Sequence, residues 1–90
     1  MNAALHGAVK SFEVYRRDKG RTGYSRLLSH DPGTGRSWLT EIHEKAGANG
    51  DVLRVETTTD LDELDPDERA LYELRLSKEL AAARAAMPLV

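Results

Sequence analysis

Val52-Leu53-Arg54-Val55-Glu56-Thr57-Thr58-Thr59 runs directly into Asp60-Leu61-Asp62-Glu63-Leu64-Asp65-Pro66-Asp67-Glu68. The first half alternates. Leu53, Val55 and Thr57 point to one side, Arg54 and Glu56 to the other, and the β-branched content is high, which predicts a strand over 52–59. The second half changes period. Asp65 suits a helix N-cap, Pro66 the first helical position, where a missing N–H is no loss, and Glu68 falls three residues after the cap. Strong helix formers (Arg, Ala, Leu, Glu, Lys) then run to about Met87, and Pro88 stops the helix.

Two turn clusters lie upstream of this junction. Gly47-Ala48-Asn49-Gly50-Asp51 holds Asn-Gly, a strong hairpin dipeptide. Asp31-Pro32-Gly33-Thr34-Gly35 combines a proline that sets φ with two glycines that permit positive φ. Residues 23–30 and 36–44 flank the earlier turn and read as strands. In the second of them Trp38, Thr40 and Ile42 alternate against Leu39, Glu41 and His43. A short helix over 37–46, capped by Ser37 and stopped by Gly47, is the weaker alternative. Residues 2–18 read as a helix: Leu5, Ala8, Val9, Phe12 and Tyr15 recur at three- and four-residue intervals, Asn2 suits the cap, and Gly20 a stop. The rival is a strand centred on Phe12-Glu13-Val14-Tyr15.

The expected fold is therefore α+β: an N-terminal helix, a three-stranded antiparallel meander and a long C-terminal helix, in one small domain over residues 1–90. Helix, three strands, helix is also the order of double-stranded-RNA-binding domains. Those domains place lysines at the start of the last helix, where this chain has Asp65, Asp67 and Glu68, so the chain is not assigned to them.

Ninety residues make a thin core, and small domains of this kind often rely on a disulfide, a metal or a second subunit. The chain has no cysteine, which excludes disulfides and thiolate metal sites. That absence, with an N-terminus lacking a secretory pattern and no long apolar run, leads to an expected cytoplasmic location. With 31% charged and 40% hydrophobic residues, the composition is that of a folded domain.

The net charge is only -2, but it is unevenly spread. Residues 1–36 carry seven basic and three acidic side chains, a balance of +4; residues 37–90 carry six and twelve, a balance of -6. Arg16, Arg17, Lys19, Arg21 and Arg26, interleaved with Tyr15 and Tyr24, form a candidate contact for nucleic acid or for an acidic partner. The acidic run from Glu56 to Glu68 fails the calcium-loop pattern, since the sixth and twelfth positions from Asp60 are Asp65 and Leu71. It reads instead as carboxylates favoured by a helix N-terminus. His6, His30 and His43 have no metal-ligand spacing, and Gly33-Thr34-Gly35-Arg36-Ser37 lacks the spacing and lysine of a phosphate loop. No nucleophile and no acid–base pair stand out, so no enzyme activity, metal or cofactor is expected.

The C-terminal helix carries two apolar stripes. One is Leu71, Leu74, Ala81 and Ala85; the other, about 160° away at 100° per residue, is Tyr72, Leu76, Leu80, Ala83 and Met87. A surface helix needs one stripe to face its own core. The second stripe is read as a partner or dimer interface. The resulting expectation is a non-enzymatic interaction or regulatory module that binds another protein, as a homodimer through this helix. The alternative is a nucleic-acid-binding protein that uses residues 10–36.

Overall fold

In the computed structural model, which describes residues 9–86, Lys10–Lys19 is a strand (β1) and not the second half of a helix. Thr22–Asp31 (β2), Arg36–Ala46 (β3) and Val52–Asp60 (β4) follow, then a 3-10 turn, Leu61–Glu63, and one helix, Pro66–Ala86 (α1). The four strands form one antiparallel sheet in the order β1-β2-β3-β4, each paired with its neighbours in sequence. This corrects the expected architecture: there are four strands, not three, and no N-terminal helix among the described residues. Residues 2–8 of the expected helix, with the Asn2 cap, lie outside the described residues, as does Met87.

A bulge explains the correction. The β1–β2 register runs Phe12↔Leu28 and Glu13↔Leu27, then jumps to Tyr15↔Arg26, leaving Val14 without a partner. A bulge adds one residue to one strand, so Phe12 and Tyr15 reach the same face although three positions apart. Three is also a helical spacing. Gly20 serves the hairpin rather than a helix end: it has φ +58 in the two-residue turn between Lys19 and Thr22, which fits the primed turns that two-residue hairpins prefer.

The core sits on one face of the sheet. Leu28 (0% exposed), Leu39, Leu61 and Leu76 form its buried centre, and Phe12, Val14, Leu64, Tyr72 and Leu80 pack around them. Asp65 stands at the N-cap position of α1, its carbonyl accepting the Arg69 N–H at 2.8 Å. The opposite face mixes apolar and small polar residues: Ile42 is buried and Leu27 and Trp38 half-buried beside buried Ser25, Ser29 and Thr40, and the Ser11 and Ser29 hydroxyls share a 2.8 Å hydrogen bond. Among the described residues, no helix is long and apolar enough to cross a membrane.

Asp60 fastens the sheet to the helix side of the molecule. Its carboxylate accepts from Arg36 Nη2 at 2.7 Å and from the Asp62 N–H at 3.1 Å, capping the 3-10 turn. The Arg36 hydrogen bond, aided by the Asp62 N–H, holds the carboxyl below its ordinary value. A carboxyl that is more acidic in the folded chain than in the unfolded one adds stability above its unfolded value, about 3.9, and loses it as pH falls through the folded value. Asp60→Asn is therefore expected to melt below the wild type at neutral pH. The gap should close as melts are taken into the acid range below about pH 4. A gap of constant size would show that the Asp60 charge is not what matters.

Candidate functional site

The sheet is longer than the footprint of the helix. Stepping two residues at a time from Leu28 along β2 reaches Arg26, Tyr24 and Thr22 on the same face. The register then lays out successive rungs across all four strands. Phe12-Leu28-Leu39-Thr59 lies at the helix-covered end, and Tyr15-Arg26-Glu41-Thr57 comes next. Arg17-Tyr24-His43-Val55 and Lys19-Thr22-Lys45-Leu53 follow beyond the core cluster. These last two rungs line an open groove of about 460 Å³ whose walls combine Arg17, Lys19 and Lys45 with Tyr24, Leu53 and Val55. Among the described residues, Glu44 is the one carboxylate lining it.

The Tyr15-Arg26 rung separates the core from this groove. Arg26 donates through Nε to the Tyr24 hydroxyl at 2.6 Å and through Nη1 to the Tyr72 hydroxyl on α1 at 2.9 Å. Tyr24 in turn donates to Glu41 Oε2 at 2.5 Å. The Arg26 guanidinium lies 5.3 Å from the ring centres of both Tyr15 and Tyr24, within cation–π range. Tyr15 and Tyr24 meet edge to face at 5.8 Å, and Tyr24 tilts against His43 at 4.6 Å. Burial, then the Glu41 hydrogen bond, pushes the Tyr24 phenol up; the Tyr24 hydrogen bond first, with the Tyr72 contacts, raises Arg26. At neutral pH the phenol thus keeps its proton and the guanidinium its charge.

The five basic residues singled out in the sequence are dispersed. Arg16 lies on the other face, bonded to Glu13 at 2.9 Å and to Asp18 at 3.2 Å, contacts that raise its pKa, with the Glu13 bond the larger cause. Arg21 stands in the hairpin turn, where its carbonyl accepts the Ala46 N–H at 2.8 Å. Arg26 is engaged with the tyrosines. Only Arg17 and Lys19 line the groove, and β3 adds Lys45, which sequence reading missed because it is distant in the chain. The β2–β3 pairing Thr22↔Lys45 was the signal that could have found it.

The helix stripes also divide differently from expectation. Leu76 is 7% exposed and belongs to the chain's own core, with Tyr72 and Leu80 packed against that core and Ala83 half-buried. The stripe read as an interface thus faces its own sheet, drawn in by the Arg26–Tyr72 bond and by the apolar surface around Leu28. The other stripe is turned out: Leu71 is 68% exposed and Leu74 55%. Leu71 lines a second groove with Tyr15, Glu68 and Arg75.

His30 Nδ1 shares a 2.8 Å hydrogen bond with Ser37 Oγ. Among the described residues no three acidic, histidine or cysteine side chains gather into a possible metal site. Compared with protein-family models, curated proteins and solved structures, the chain matches none.

Proposed function

We propose that the chain is a non-enzymatic interaction module, and that its binding face is the part of the helix-side sheet surface lying beyond the core. The observation that supports this most is the exposure of Leu53 (67%) and Val55 beside Tyr24 in an open groove. Contiguous exposed apolar surface is a feature that interaction sites share, and it supports this reading. Its rim of Arg17, Lys19 and Lys45 suits an acidic protein surface. A partner protein is favoured over nucleic acid because two of the five arginines and lysines first proposed, Arg16 and Arg26, are committed within the fold, leaving few cations for phosphates. The nucleic-acid reading keeps one supporting observation, the placement of Tyr24 between Arg17 and His43.

The test is Leu53→Glu combined with Val55→Glu. Both side chains are exposed, so the fold should hold. The immobilised wild type should retain protein from a native lysate that the variant does not. Equal retention by both would remove this face as the binding surface. A salt-sensitive shift of single-stranded oligonucleotides, abolished by Arg17→Glu with Lys19→Glu, would instead support the second reading.

A further inference from the structure

The groove is one end of a longer exposed strip. Tyr15 and Leu71 line one groove, Tyr15 touches Tyr24, and Tyr24, Val55 and Leu53 line the next. An apolar path thus crosses the helix side of the molecule from the first turns of α1 to β4. Its two ends differ in charge. Glu68 lines the groove at the Leu71 end, and Asp67 stands one helical turn before Leu71 on the same stripe. Arg17, Lys19 and Lys45 line the groove at the Leu53 end. The ion pairs among the described residues engage Arg16, Arg36, Arg54, Arg69 and Arg75, and none involves Asp67, Glu68, Arg17, Lys19 or Lys45. Two arginines also line the Leu71 groove: Arg75 is paired with Glu79 at 3.8 Å, and Arg26 is held by the Tyr24 and Tyr72 hydroxyls opposite Glu41 on the next strand.

A strip that is acidic at one end and basic at the other is complementary to itself after a half-turn. We infer that the occupant of this face is a second copy of the chain, docked about a two-fold axis, so that Asp67 and Glu68 of each copy meet Lys19 and Lys45 of the other across the shared apolar path. This rests on the reading of the face as a protein-binding surface and names its partner. An isologous contact uses the same patch twice, so each charge complement is made twice. A uniformly acidic partner or a nucleic acid would satisfy the basic end and be repelled at the acidic one. The outward stripe of α1 is then the one that meets the second chain.

The test is sedimentation equilibrium of the full chain over a range of protein and salt concentrations, with two reversal variants. One carries Lys19→Glu and Lys45→Glu; the other carries Asp67→Lys and Glu68→Lys. The wild type should form dimers that weaken with salt, and each variant alone should associate about tenfold or more weakly, because like charges then face each other. Mixing the two variants should restore association as a heterodimer, a rescue that loss of folding in either one would not produce. A wild type that stays monomeric throughout overturns the inference, as does a dimer indifferent to both reversals or a mixture without rescue. If the chain is monomeric but Leu53→Glu with Val55→Glu still abolishes protein capture, the two-fold dimer falls and the binding face stands. Loss of both results removes the binding face too.

Discussion

Leu76→Glu is expected to unfold the domain. Leu76 is 7% exposed and lies in the buried cluster with Leu28, Leu39 and Leu61. A glutamate there removes the apolar burial and places a carboxylate among leucines. It must either lose its hydration or take up a proton, and both are costly. The lost leucine packing alone is of order 2–5 kcal/mol, against a total of about 5–15 kcal/mol for a typical domain. Circular dichroism should show loss of helix at neutral pH, with partial recovery in acid as the carboxyl becomes neutral. A variant that kept its fold and changed only its sedimentation would mean that Leu76 faces another chain.

Leu28→Ala should give the largest loss among truncations that introduce no charge, about 2–5 kcal/mol by denaturant unfolding. Leu28 is 0% exposed and sits between Phe12 and Leu39 on the sheet. Strand pairing on both sides limits how far the backbone can close over the hole, which places the cost toward the upper end of that range. Leu53→Ala is the matched control when both variants are unfolded at a protein concentration low enough to keep the chain monomeric: the same atoms are removed from a side chain that is 67% exposed, and the change should stay within about 0.5 kcal/mol. Similar losses at the two positions would contradict the placement of the core. The midpoint should move without a change in denaturant slope, as for a loss of packing in an otherwise unaltered fold.

The turns and the cap were legible because their residues act locally. Pro32, the paired glycines, Asn49-Gly50 and Asp65-Pro66 each constrain the backbone within a few residues, and strands and helix begin where they dictate. The first strand was not legible, because its bulge at Val14 brings Phe12 and Tyr15 onto one face at an interval that also belongs to helices. The rotation of α1 was ambiguous for a different reason. Its two stripes carry comparable apolar content, and the inward one is held by contacts made elsewhere in the chain: buried Leu61 and half-buried Leu64 anchor the preceding segment against the core around Leu28, and Arg26 bonds Tyr72. That anchoring is tertiary and leaves no periodic trace. The candidate site mixes both cases. Arg17 and Lys19 stand together in sequence, whereas Lys45, Leu53 and Val55 join them only through strand pairing.

Because every strand pairs with the one next to it in sequence, the connections that must close are two, four and five residues long. Closing such short loops takes little chain entropy, and hairpins of this size form within microseconds. The meander can therefore assemble hairpin by hairpin, from whichever turn closes first, with no distant segment to wait for. Docking of α1 is the step that joins remote parts of the chain, since Leu76 must find Leu28. Native contact order is correspondingly low for a β-rich domain, and refolding should be fast and free of a slow β-pairing phase.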